Sequence, residues 1–298
     1  MATETLPNPT RTTTTAVQGS GGGRFTVGNI ALTLFLLFWA VLVIFPMVWL
    51  LYTSFKTDQE IFFSPWSLPA APQWDNFQRG WVDAHIGDYF LNSFIVVLPS
   101  LALILILSAM TAYVLARFPF PGNRIIFYGF MAGLLFPVFL ALIPLFFLVK
   151  DLGMLSSYHG LILVYVAYSL PFSVFFMTGF FRTLPSELHE AAIIDGANQY
   201  QVFFRIMLPL AQPGLVSIGI FNFLGMWNQY LLPVVLMTDA GKYVLTQGLA
   251  YMLHQQYYQN DWSGLFAAVT MIMVPTLLVY VIFQQQIQKG ITVGALKG

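Results

Sequence analysis

The chain has 298 residues, 58% of them hydrophobic and only 8% charged, against about 25% charged in soluble domains. With a mean hydropathy of +0.74 it carries more apolar surface than a water-soluble core of this size can hide, which excludes an ordinary soluble enzyme. Twelve basic residues balance twelve acidic ones and there is no cysteine. A basic nucleic-acid footprint, a disulfide and a thiolate nucleophile or metal site are therefore excluded together.

Residues 1–24 hold Thr12-Thr13-Thr14-Thr15 and Gly19-Ser20-Gly21-Gly22-Gly23. They have little to bury and are expected to form a disordered cytoplasmic N-terminus. Six stretches then lack Asp, Glu, Lys and Arg altogether: 25–55, 89–116, 125–149, 152–181, 206–238 and 262–288. Each exceeds the roughly 20 apolar residues that carry a helix across about 30 Å of hydrocarbon. Lipid offers no partner to a free backbone amide, so such runs must be helical, and they lack the alternation of a β-barrel. The fold expected is an all-α integral membrane protein, with spans at about 29–52, 90–116, 125–149, 158–182, 210–235 and 264–286. The first run is too long for a signal peptide and no A-x-A site follows it, so it is read as a retained helix. A seventh charge-free run, 243–260, contains Gln247, His254, Gln255, Gln256, Gln259 and Asn260. It is too polar for lipid and is expected to be an outer loop or a surface helix.

Orientation follows from Lys and Arg. With both termini cytoplasmic, the inside holds Arg11, Arg24, Arg117, Arg124, Arg182, Arg205, Lys289 and Lys297, and the outside only Lys56, Arg79, Lys150 and Lys242. This excess of basic residues predicts an N-in, C-in topology.

No charged residue falls inside a span, which disfavours a proton- or ion-coupled carrier. Walker A, HExxH and GxSxG sequences are absent. His85, His159, His189 and His254 show no metal spacing. Pro46, Pro99, Pro137, Pro144, Pro171, Pro213, Pro233 and Pro275 lie in or near the spans. They read either as ordinary irregularity of membrane helices or as bends in a bundle that changes shape around a pore.

The stretch 184–209, LPSELHEAAIIDGANQYQVFFRIMLP, stands apart on the cytoplasmic side. Pro185 suits a first helical turn, and Glu187 and Glu190 complement the helix dipole. Leu188, Ala191, Ala192 and Asp195 recur at helical spacing on a face flattened by the alanines. Gly196 permits a sharp turn. A second short helix then presents Tyr200, Phe203, Phe204 and Met207. Such a helix–turn–helix either docks a partner or rests on the membrane surface.

The run Glu190-Ala191-Ala192-x-x-Asp195-Gly196-Ala197-x5-Phe203-x-x-Ile206-x-Leu208-Pro209 resembles, at every fixed position, the EAA motif of ABC-importer permeases. The likeness covers the chain from about residue 28 onward and is closest to the MalG-type carbohydrate permeases. Supporting pieces are Leu91-Asn92-Ser93, Ala112-Tyr113, Arg117-Phe118, Leu170-Pro171-Phe172, Trp227-Asn228-Gln229-Tyr230 and Asp261-Trp262. The tail from Gly290 through Gly294 and Ala295 to Lys297 resembles the family's C-terminal signature. Gln229 departs from the family, whose commonest form has an acid there.

The resemblance implies a type I ABC-importer permease fold with six transmembrane helices, and a subunit that forms half of a pore. Its implied partners are a second homologous permease, a dimer of ABC ATPases that holds the ATP and Mg, and an extracytoplasmic solute-binding protein or lipoprotein. The chain itself is then not an enzyme and binds no cofactor, metal or nucleic acid; its cargo is a sugar or oligosaccharide. Glu190, Ala191, Ala192, Asp195, Gly196, Ala197, Phe203, Leu208 and Pro209 would couple it to the ATPase, and Gly290, Gly294 and Lys297 would reach between the ATPase subunits. A sugar presents hydroxyls beside flat apolar ring faces, so its path calls for amides, phenols and aromatic rings. Asn92, Tyr165, Tyr168, Asn222, Trp227, Asn228, Gln229 and Tyr230 meet that need. The loop 56–88 is read as a contact for the binding protein or as a simple connector. The competing class is a secondary carrier or facilitator for a neutral solute; a membrane enzyme would need an acid–base pair that the spans lack.

Overall fold

The computed structural model describes residues 27–295, apart from the side chains of 27, 256–259 and 287–295. The disorder expected for 1–24 and the tail contact expected of Lys297 lie outside the described residues, and Gly290 and Gly294 fall where only helical backbone is described. All regular structure among the described residues is helical.

The first compact unit ends at Val48 and contains most of α1, Val27–Thr53. Its Leu, Phe, Val and Ile side chains are exposed all round. A helix without a polar face is suited to hydrocarbon on every side.

The second unit runs from Trp49. After α1, Thr57 and Glu60 form a capping box that starts α2, Asp58–Phe63; each satisfies an amide the helix leaves open. Asp75–Gln78 (α3) continues into a π-helical turn, Arg79–Asp83. Two long helices follow, α4 (Ile86–Arg117) and α7 (Tyr158–Thr183), separated by α5 (Asn123–Leu135) and α6 (Val138–Asp151). Then come α8 (Ser186–Ile194), α9 (Gln199–Val202) with a second π-helical turn at Phe203–Met207, and α10 (Leu208–Leu210). The chain ends with α11 (Gln212–Trp227), α12 (Leu231–Leu236), α13 (Leu245–Gln259) and α14 (Trp262–Ala295).

Four of these helices are long and apolar enough to cross a membrane unbroken, or up to six if each bent pair counts as one span. The stretch 125–149, expected as a single span, is bent by 101° between α5 and α6. The break is local: proline disfavours the helical region for the residue before it, and Phe136, which precedes Pro137, is extended at φ −79°, ψ 117°. The stretch 210–235 is likewise divided. A 70° bend separates α10 from α11, and residues 228–230 separate α11 from α12. In contrast, Pro46, Pro99, Pro144, Pro171 and Pro275 all sit inside continuous helices.

Helices α4 and α7 pack against each other along their length and organise two cores. Around the Asn92 end, Ile86, Tyr89, Val96, Trp227, Leu236 and Leu245 are buried together. Around the Arg117 end the core joins Ala109, Ala112, Tyr113, Met177, Phe181, Ala192, Phe203 and Met207. The polar run 243–260 forms α13, which packs on α4 and α14. Gln247 is buried there because its Nε2 donates to the Met237 carbonyl at 2.7 Å. Gly248 leaves room for the Tyr89 ring, into which a Cβ would run.

One ionic brace ties distant parts of this unit. Arg79 donates from Nε and an Nη to the Asp261 carboxylate at 3.1 and 3.0 Å, and to Asp75 at 2.7 Å. Asp261 also accepts from the Gly264 amide, while Asp58 accepts from the Ser263 amide at 2.7 Å. Burial works against the Asp261 charge, yet the Arg79 guanidinium and the Gly264 amide outweigh it and hold the carboxyl below the usual aspartate range.

Candidate functional site

Two of the breaks in the helices come together. A cavity of about 850 Å³ is lined by Phe136, Pro137 and Val138 from the α5–α6 bend and by Asn228, Gln229, Tyr230 and Leu231 from the α11–α12 junction. Tyr165, Tyr168, Ser169 and Phe172 of α7 and Phe221 and Asn222 of α11 complete the wall. Irregular backbone at membrane depth is tolerated where it faces protein or a cavity, because its unpaired groups find partners there. Gln229 supplies such partners: its Oε1 accepts from the Leu231 amide at 3.1 Å, and its carbonyl accepts from Thr246 Oγ1 at 2.6 Å.

Six of the eight path residues expected from the sequence therefore line one space: Tyr165, Tyr168, Asn222, Asn228, Gln229 and Tyr230. The other two are used elsewhere. Asn92 donates to the Gly241 and Tyr243 carbonyls at 3.1 and 3.0 Å and accepts from the Tyr158 hydroxyl at 2.7 Å, which pins the 241–243 turn to α4. Trp227 is buried among Phe90, Phe94 and Phe223. Trp227 lies on the side of α11 that packs against Phe90 and Phe94 of α4, whereas Asn92 belongs to α4, which contributes nothing to the cavity lining.

The lining is chemically mixed. Asn222 Nδ2 donates to Ser173 Oγ and to the Ile218 carbonyl, both at 2.9 Å, which fixes its amide. Tyr165 is only 2% exposed, and its hydroxyl has no hydrogen-bond partner among the described residues. A buried hydroxyl normally finds one; this one is sealed within the wall of the cavity, which the Phe136, Phe172 and Phe221 rings also line. Sequence reasoning missed Phe136 and named Pro137 only as one of eight possible bends, although the Phe-Pro pair inside an apolar run was a legible break signal.

The second candidate surface is the 184–209 segment. α8 ends in a turn where Gly196 has φ +83°, a left-handed conformation that favours glycine. The Asp195, Gly196 and Ala197 amides donate back to the Ala191, Ile193 and Ala192 carbonyls, closing the helix end. Asn198 and Gln201 then form a capping box for α9. The face expected to dock divides in two. Ala192 is buried within the molecule, whereas Leu188, Glu190, Ala191 and Asp195 are exposed and Ile194 is 84% exposed. In the second helix Phe203 and Met207 are buried while Tyr200 and Phe204 are exposed. Ala197 and Leu208 are half-buried and Pro209 is exposed.

Bent apolar helices around a mixed cavity, with a rigid polar arm at one end, define a membrane transport protein. The family described as "Binding-protein-dependent transport system inner membrane component" matches residues 64–293. The chain is 53% identical over 262 residues to the diacetylchitobiose uptake system permease protein NgcG of Streptomyces coelicolor, covering 88% of this chain and 87% of that one. It is 34% identical over 257 residues to the sulfoquinovosyl glycerol transport system permease protein SmoH of Agrobacterium fabrum, covering 86% and 89%. A solved bacterial ABC transporter involved in import of the acidic polysaccharide alginate shares the fold, with a TM-score of 0.76 at 21% identity over 87% of this chain and 96% of that one. The chain belongs to the binding-protein-dependent inner membrane component family. It is a membrane-embedded transport subunit of an ABC importer and not an enzyme; ATP hydrolysis falls to a separate subunit.

Proposed function

We propose that this chain is one of two homologous permeases enclosing the pore of a sugar importer, with six spans and both termini in the cytoplasm. The α8–Gly196–α9 arm docks on the ABC ATPase dimer, and an extracytoplasmic binding protein delivers the cargo. Closure of the ATPase dimer pushes the arm, and the bent helices switch the cavity from one side of the membrane to the other, a rigid-body change of access. The observation that carries this reading is the arm. Its inner face is packed in the Tyr113–Phe203 core while Glu190, Ala191 and Ile194 face outward, so it is both rigid and available. A carbohydrate cargo is supported by the names of the relatives and by the cavity, where phenol, hydroxyl and amide side chains stand beside aromatic rings.

The test combines Glu190→Gln with Gly196→Val. The valine strains a left-handed turn, and the glutamine removes a charge from the exposed face. Membrane insertion is expected to stay normal while sugar uptake in the complete importer is lost. Uptake at the native rate in the double variant contradicts the coupling role.

A further inference from the structure

A hydrogen bond joins the arm to the long helix behind it: the Tyr113 hydroxyl lies 3.0 Å from His189 Nδ1. His189 is half-buried on the inner face of α8, one helical turn from Ala192. The Tyr113 ring sits against Phe118, Phe181 and Phe203, at centroid distances of 5.6, 5.6 and 5.0 Å, and Phe118 in turn packs on His189. One turn further on, Arg117 donates to the carbonyls of Phe181 and Leu184 at 2.9 and 2.7 Å, which fastens α4 to the end of α7. At the far end of the 32-residue α4, about 48 Å long by helical rise, Asn92 and Ser93 hold the 241–245 segment. Helix α7 carries Tyr165 and Tyr168 into the cavity wall.

We propose that Tyr113 and His189 form the joint that transmits displacement of α8 to the α4–α7 pair, as positioning residues for transport. This rests on the reading of α8 as the arm that meets the ATPase. The ring cluster holds α8 against α4 but does not by itself select one register, because apolar packing is less directional than a hydrogen bond. The hydrogen bond fixes the register of α8 against α4, and Arg117 makes α4 and α7 move together.

The experiment uses the complete importer in proteoliposomes and measures sugar transported per ATP hydrolysed. Tyr113→Phe keeps the ring and removes only the hydroxyl. It is expected to lower the transport-to-hydrolysis ratio about threefold to tenfold, the range one hydrogen bond allows, while the ATPase subunit still co-purifies. His189→Leu should do the same, and the double variant should be no worse than either single change, because all remove one interaction. His189→Gln, which can still bond a hydroxyl, should retain more coupling than His189→Leu. A native ratio in Tyr113→Phe, or additive losses in the double variant, overturns the joint. Loss of the ATPase from the purified complex also overturns it, because the pair would then support docking only. Failure of the underlying reading shows separately: a cysteine at Ala191 in the otherwise native chain would not cross-link to the ATPase.

Discussion

Asp261 and Arg79 show how much one ion pair can organise. Between them they tie α3, its π-helical turn and the start of α14, and Asp58 reaches the same corner through the Ser263 amide. The folded state holds the Asp261 carboxyl below its ordinary value. A depressed carboxylate contributes stability that is fully present above the unfolded value, about 3.9, and is lost as pH falls through the folded value. The thermal midpoint of the purified protein is therefore expected to exceed that of Asp261→Asn at pH 7, and the gap should close as pH falls below about 4. A gap that stays constant with pH would show that the charge contributes nothing. In the cavity wall, Tyr165→Phe removes a buried hydroxyl that has no partner among the described residues. If the helices uncover that hydroxyl for a sugar as access switches, the concentration for half-maximal uptake should rise about threefold to tenfold in the assembled importer. An unchanged value would remove Tyr165 from the substrate path.

At the scale of elements, close approach decides what is tolerated. α13 meets α4 where Gly248 faces the Tyr89 ring, so Gly248→Ala forces a shift costing about 1–3 kcal/mol. A fall in thermal midpoint, partly recovered by adding Tyr89→Ala, is the expected result; a neutral Gly248→Ala would mean the two helices part easily. The charge-free runs announced the long helices because lipid-compatible helices need such runs. They did not announce the breaks, since hydropathy is blind to backbone direction and most span prolines were absorbed into continuous helix. Pro137 coincides with the sharp bend after α5, and Pro213 opens α11 just beyond the 70° bend. The helical repeat of α8 was legible too, but its phase was not. Leu188, Ala191, Ala192 and Asp195 share an arc by spacing, yet the Tyr113 core draws His189 and Ala192 inward and leaves Ala191 and Ile194 outside. Phase depends on what the rest of the fold offers as a partner, and a single helix does not encode that. Asn92 lies off the cavity for a related reason: a polar residue near a helix end serves a cavity or a turn equally well, and here it bonds the Gly241 and Tyr243 carbonyls.

For the whole molecule, the arrangement separates where cargo sits from where energy enters. The cavity gathers the α5–α6 bend, α7 and the α11–α12 junction, while the arm projects from the opposite part of α7. A subunit with no nucleotide-binding sequence of its own does work only if something drives that arm. The most direct measurement exploits the absence of native cysteine: single cysteines at Ala191 and Ala192 are cross-linked in the assembled importer, and the trapped chain is identified. The account predicts that the exposed Ala191 position captures the ABC ATPase subunit and that the buried Ala192 position does not. Capture of lipid alone from Ala191, with transport intact, would contradict it.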